Sequence, residues 1–579
     1  MSKSVTNNLT WTLLFSLSCA HVLAQEFDIA DFHNAAENRI SWRDPDSRER
    51  PFDEAPVTAK ILGFNDFHGY LNGQMIGGRP VGGAAVLAAY LKAESAEVDN
   101  RAVIVHAGDV VGASPAESAL QHDEPTIHFL NLLANDQCVA DALMAPLCNM
   151  VGTLGNHEFD DGPQEMIRLL FGGRHPDAAP DLPAWSGAEF PYVSANVVRE
   201  ETGELVLPPY VVKEIGGVPV AFIGAVLRST PEIVIAYGTE GISFLDEVET
   251  INRYVEEIRN QNIRAIVLTI HHGFAQNPLA PPENLEENQF IELVRQLDDE
   301  VDVVISGHLH AHTNLLVPGR NGKEILLTQA FEEGTAYSDI DIVLDRQSRE
   351  IVAKSAAIMS TWADSGPGLT PEPEIAAFVN DINSELDSHL NQVIGASSTT
   401  LSREANEAGE SLMGNFLADA YRSMLGVDFA FSGLGRADIP AGNITLGDLY
   451  QVDPFDRDLI VMTLTGSQIV RLLNEQWSGR GSPQFLAVSG LSYTWDANGP
   501  ENERIIDIRD ARGRTLDSNL SYRISTSEFF ASGGSGFDVF TEGVDRKIRR
   551  STLDVLVDHT KNLPQPFRVY LDGRIERVN

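Results

Sequence analysis

Aspartate, histidine and asparagine recur in five short segments of this chain: Asp66-Phe67-His68, Gly108-Asp109, Gly155-Asn156-His157-Glu158, His271-His272-Gly273 and Gly307-His308-Leu309-His310. Carboxylates, imidazoles and an amide in that mixture are ligands that divalent cations accept. Two such ions roughly 3.5–4 Å apart can hold the attacking and leaving oxygens of an in-line displacement at phosphorus. One carboxylate must then bridge the ions, and Asp109 is the candidate bridge. Any one segment alone carries little weight; their order along one chain makes the case.

Each ligand segment follows a short apolar, β-branched run. Ala59–Phe64 precedes Asp66, Ala102–Val105 precedes Asp109, Ala265–Ile270 precedes His271 and Val301–Ile305 precedes His308. Such runs read as buried strands. The ligands would then gather at the carboxyl edges of neighbouring strands, where open α/β sheets bind their substrates. Helical patterns at Gly83–Ala93 and Glu247–Asn260 alternate with the strands and fit an α/β sandwich.

These strings, above all Gly155-Asn156-His157-Glu158-Phe159-Asp160 and Gly307-His308-Leu309-His310, resemble the calcineurin-like metallophosphoesterases, and within them the periplasmic 5'-nucleotidase and UDP-sugar hydrolase family. The likeness runs over roughly residues 57 to 579. It implies a four-layer α/β/β/α sandwich at 56–364, a linker helix within 365–396, and a second α/β (α+β) substrate-binding domain at 397–579. It also implies two divalent ions, of zinc, manganese, magnesium, cobalt or iron. Asp66, His68, Asp109 and His310 would hold the first, and Asp109, Asn156, His271 and His308 the second. His310 stands where nucleotidases often carry glutamine. His157 would contact the phosphate, oriented by Asp160, since a carboxylate-backed imidazole can carry positive charge beside a phosphoryl oxygen. Glu158 receives no role. His271 and His272 are neighbours and either could ligate; the family spacing favours His271. His106, His122 and His128 read as ordinary core or surface histidines.

In the second half the resemblance assigns Arg403 and Arg436 to phosphate, and Phe455 and Phe529 to an aromatic clamp on the base. A ring pair can grip a flat base by stacking, and a guanidinium can fork onto phosphate oxygens. Three departures surround that pocket. Phe431–Gly435 replaces a stretch that usually carries asparagine and glycines, Arg457 stands where asparagine is frequent, and Ser535 follows Gly533-Gly534 where aspartate is usual. The expectation is a phosphohydrolase of nucleoside 5'-monophosphates or related phosphate esters that reads the base loosely. Cyclic-nucleotide or UDP-sugar hydrolysis, and a non-nucleotide phosphomonoester, are the alternatives.

Composition bounds the partners. A net charge of −41, from 83 acidic against 42 basic residues, opposes nucleic acid and anionic membrane surfaces. Residues 1–24 read as a signal peptide, too short to span a membrane comfortably, and 25–55 as an extended leader. Cys19 raises a lipid-anchored alternative, although Ser16 occupies the position where that signal needs a leucine-like residue. Periplasmic or secreted placement follows, and in an oxidising compartment Cys138 and Cys148 are expected to pair. Residues 375–393 repeat apolar side chains at three- and four-residue steps, which argues one amphipathic helix. Periodicity leaves open whether that helix links the domains or belongs to the core of the second.

Overall fold

The computed structural model describes residues 37–45, 54–176, 183–276, 288–454, 457–478 and 483–579. It divides into two compact units, with the break between Ser388 and His389. The signal-peptide reading, Cys19 and Phe455 lie outside the described residues.

Two sheets face each other in the first unit. One has seven strands in the order Ile40–Arg43, Ile351–Ser360, Ala336–Leu344, Val57–Phe64, Ala102–His106, Met150–Thr153 and Tyr192–Val193. The other has six, in the order His312–Pro318, Glu324–Ala330, Val301–Ser306, Ala265–His271, Val218–Val226 and Tyr210–Ile215. Period-two alternation sorts each strand's side chains onto two cores. Ile61, Val103 and Val105 meet Phe222, Val267 and Val303 between the sheets. Their neighbours Leu62 and Ile104 pack outward against Leu87 and Leu91 of the helix Ala84–Glu97. On the far side Ile266 and Leu268 pack against Ile251, Val255 and Ile258 of the helix Glu247–Asn260. The result is the α/β/β/α sandwich, and the strands that carry Asp66, Asp109 and Asn156 are mutually parallel.

Part of the stretch read as a leader is a strand. Ile40–Arg43 pairs antiparallel with Ala353–Ala356 and closes the edge of the seven-stranded sheet. Trp42 lies 4.7 Å from the Lys354 ammonium, and Arg39 Nη1 donates to Asp341 Oδ2 at 2.7 Å. Four residues are too few to show a period against polar flanks. The helix Pro373–Leu390 buries Ile375, Val379 and Ile382 in the core outside the seven-stranded sheet, so this face belongs to the first unit.

The second unit has a five-stranded sheet, order Ala487–Ser489, Phe429–Ser432, Ser521–Ser527, Asp458–Thr465 and Val544–Ser551, beside a three-stranded one. The helix Leu412–Leu425 starts on the Ser411 side chain, which accepts from Gly414 N at 3.0 Å, and ends at Gly426 with φ 62°. Capping boxes begin two further helices at Thr445/Asp448 and Thr465/Gln468.

Cys138 and Cys148 form the expected disulfide. Inside its loop the Ala145 carbonyl accepts from Lys213 Nζ at 3.2 Å, and Lys213 is buried. Desolvation pushes that ammonium down to about 7. A lysine depressed in the folded state is penalised fully below about pH 7, where it is charged in both states, and the penalty fades as pH rises toward its unfolded value. Lys213→Met is therefore expected to stabilise most at and below pH 7, with the gain shrinking by pH 10. Urea midpoints across that range check it, and a gain that grows with pH would refute it.

Candidate metal centre

The ligand loops leave parallel strand ends and bind one another through backbone before any side chain acts. Asp66 N donates to Gly108 O at 3.1 Å, and His68 N to Asp109 O at 3.0 Å. Asp66, His68, Asp109, His308 and His310 all adopt left-handed backbone, with φ between 48° and 77°. Such conformations cost of order 1–3 kcal/mol each in non-glycine residues and persist where the surroundings over-determine them, which is typical of functional sites.

Hydrogen bonding fixes two imidazole tautomers. His68 Nδ1 lies 2.8 Å from Gly112 O, and His271 Nδ1 lies 2.8 Å from Ala107 O. A carbonyl only accepts, so each Nδ1 carries a proton and each Nε2 faces inward. His271 Nε2 faces Asp109 Oδ2 at 3.0 Å and Asn156 Oδ1 at 3.1 Å. His308 Nδ1 is 2.9 Å from the same amide oxygen. On the other side His68 Nε2 lies 3.1 Å from His310 Nε2 and 3.9 Å from Asp109 Oδ2, while His310 Nε2 lies 3.3 Å from Asp66 Oδ1.

The donor atoms fall into three overlapping groups: Asp66, His68 and His310; His68, Asp109 and His157; Asp109, His271 and His308. Asp109 is shared by the second and third, as His68 is by the first and second. Carboxylate, imidazole and amide donors packed this closely in a buried site are a set suited to a cation. Their charges are strongly coupled. Burial works against the charged form of Asp109, yet His271 and His157 beside it hold the carboxyl well below its usual range. His271 rises to about 9 despite burial, because Asp109 outweighs it. His68 falls to about 4 through burial and its cationic neighbours.

His157 has Nδ1 2.6 Å from Asp160 Oδ2, its backbone N donates to Asp109 Oδ1 at 2.8 Å, and its ring centre lies 5.0 Å from that of His68. His272 turns away and packs on Phe290, 4.7 Å between ring centres. His106 is buried against Phe64, Phe190 and Tyr192, His122 stacks on His175, and His128 packs on Phe378.

Glu158 is the residue that motif reading undervalued. Its buried carboxylate accepts from Asp109 N and Val110 N, both at 3.0 Å, and from Gly155 N, so it clamps the backbone of two ligand loops. The only hint in the sequence was its place directly after His157. The motif glycines also acquire a reason. A Cβ on Gly155 would lie 2.1 Å from Asp109 Oδ1, and one on Gly108 would lie 2.5 Å from Gly155 N. Gly155→Ala is expected to push Asp109 out of place, lower the unfolding free energy by about 1–3 kcal/mol and reduce retained metal. Thermal unfolding with metal analysis checks this; wild-type values in both would refute it.

In the second unit, Arg403 Nη1 donates to Arg436 O at 2.8 Å and both arginines are exposed. Phe529 is half-buried with the Arg457 guanidinium 4.7 Å over its ring, whereas Phe530 turns into the core against Phe537 and Phe540. Ser535 sits in left-handed backbone, φ 57°.

A family model described as calcineurin-like phosphoesterase matches residues 59–312, and one described as the 5'-nucleotidase C-terminal domain matches 393–542. The chain is 31% identical over 561 residues to an endonuclease, YhcR, of Bacillus subtilis, covering 94% of this chain and 43% of that protein. It is 33% identical over 537 residues to a cell wall protein, Lmo0130, of Listeria monocytogenes, covering 84% and 64%. The chain therefore spans about half the length of these relatives. Among solved structures, a 5'-nucleotidase precursor from Thermus thermophilus superposes with TM-score 0.66 at 26% identity, covering 90% of this chain and 100% of that one.

Proposed function

The chain belongs to the calcineurin-like phosphoesterases that carry a 5'-nucleotidase C-terminal domain, and from that premise we propose that it is an exported hydrolase of phosphate monoesters, nucleoside 5'-monophosphates among them, that works with two divalent cations. The observation that carries the reading is Asp109, whose carboxylate is shared by the group with His68 and the group with His271 and His308. The first group with Asp109 would hold one ion, and Asp109, Asn156, His271 and His308 the other. When bound, such ions neutralise phosphoryl charge and make water nucleophilic at neutral pH.

The protein's own groups then divide the work. Gly112 O and Ala107 O hold the His68 and His271 tautomers. Glu158 keeps the Asp109 and Asn156 loops in register. His157, oriented by Asp160, donates to a phosphoryl oxygen where negative charge grows. Arg403 and Arg436 would steer the phosphate, and Phe529 with Phe455 would take the organic group.

Export is supported by the Cys138–Cys148 disulfide, which suits an oxidising compartment. Among the described residues no helix is long and apolar enough to cross a membrane.

Arg457 places a guanidinium over one face of the Phe529 ring. Together with Ser535 this predicts loose base reading, with AMP less than about tenfold faster than ribose 5-phosphate, since loss of a polar contact is worth about 1–3 kcal/mol. Initial rates at equal concentration, with Asp109→Asn as blank, test this; AMP favoured more than a hundredfold would overturn it. The relative named as an endonuclease favours a second reading, diester hydrolysis. Bis(p-nitrophenyl) phosphate turned over faster than any monoester would select it.

A further inference from the structure

An imidazole at position 310 has a second ring nitrogen, and this structure gives it a partner that no motif contains. While Nε2 faces Asp66 and His68, Nδ1 makes an ion-pair contact with Glu332 Oε2. Glu332 follows the strand Glu324–Ala330 on a bend of unusual backbone. Phe331 and Glu333, on either side of it, both lie in the left-handed region, with φ 49° and 56°.

That bend is tied to the ligand loops from both ends. Phe331 N donates to Ala311 O at 3.0 Å, next to His310, and Glu333 N donates to Asp66 O at 2.7 Å. Asn65 Nδ2 donates to Phe331 O at 2.6 Å. Two left-handed non-glycine residues in a row of three carry a backbone cost that the surroundings must offset. The bend holds them while presenting one carboxylate to one imidazole. Both partners are half-buried, and what the bend supplies is a carboxylate fixed against the ring.

We propose that Glu332 is a positioning residue for His310. It holds the proton on Nδ1, turns the Nε2 lone pair toward the Asp66–His68 side, and strengthens the ring as a donor to the first cation. The inference rests on the two-cation reading above. Carboxylate–histidine–metal relays of this kind typically change metal affinity by 10- to 100-fold. Glutamine at position 310 has no ring nitrogen to receive such help, so the effect of Glu332 must pass through the imidazole.

Calorimetric titration of the metal-stripped full chain with Mn²⁺ tests it, using wild type, Glu332→Gln, His310→Gln and the double variant. The expected result is that Glu332→Gln weakens one cation by about 10- to 100-fold, leaves the other within about twofold, and adds almost nothing in the His310→Gln background. Equal affinity in wild type and Glu332→Gln would overturn the proposal. So would the same loss in both backgrounds, which would mark a general effect on the fold. Unfolding midpoints of the stripped proteins separate misfolding from lost affinity, and Glu332→Ala replaces the glutamine variant if that one does not fold. A wild-type chain that takes up no Mn²⁺ would instead remove the two-cation reading itself.

Discussion

Asp109→Asn abolishes measurable hydrolysis: the rate of phosphate release falls by about a thousandfold or more, equivalent to about 4 kcal/mol of barrier. The substitution keeps the shape and removes one negative charge. One carboxylate oxygen of Asp109 accepts from the His157 backbone N at 2.8 Å, and the other lies 3.0 Å from His271 Nε2 and 3.9 Å from His68 Nε2. It is shared by the group with His68 on one side and the group with His271 and His308 on the other. An amide in its place offers one acceptor instead of two and turns an N–H toward one of those sides. Metal analysis of the purified variant should show reduced occupancy alongside the lost rate. Retained rate with full occupancy would show that another carboxylate bridges.

His157→Ala separates catalysis from metal binding. Its imidazole is oriented by Asp160 at 2.6 Å. The expected outcome is a loss of kcat of about a hundred- to a thousandfold, the effect of removing one donor aimed at developing negative charge. Metal content should stay at the wild-type level. Asp160→Asn should lower kcat in the same direction by less, because the ring remains but loses its anchor. His157 also falls in a possible ligand group with His68 and Asp109. A His157→Ala protein that loses one equivalent of metal would therefore reassign the residue from the phosphate to the cation.

Much of this site was readable from residue types because short-range rules placed it. Buried strands are written as apolar β-branched runs, and a ligand one to four residues past such a run must emerge at the strand's end. That is how Asp66, Asp109, His271 and His308 come together in the structure. Family spacing favoured His271 over His272, and strand alternation agrees, sending His271 inward and His272 onto Phe290. Glu158 and Glu332 escaped such rules. Each acts on backbone or on another ligand across long sequence distances, 49 residues from Glu158 to Asp109 and 22 from His310 to Glu332, and no local period records such contacts. The strand Ile40–Arg43 escaped because its pairing partner lies more than 300 residues away. The second unit was least legible, since exposed arginines and a half-buried phenylalanine look the same in text whether or not they meet a ligand.

The most direct measurement of the central claim is a stoichiometric reconstitution. The protein is stripped with a chelator, divalent metal is returned in fractions of an equivalent, and bound metal and phosphate release are followed together. The two-cation account predicts negligible rate without metal, little recovery up to one equivalent per chain, and full rate near two. Full rate at one equivalent, or rate that survives complete stripping, would contradict it.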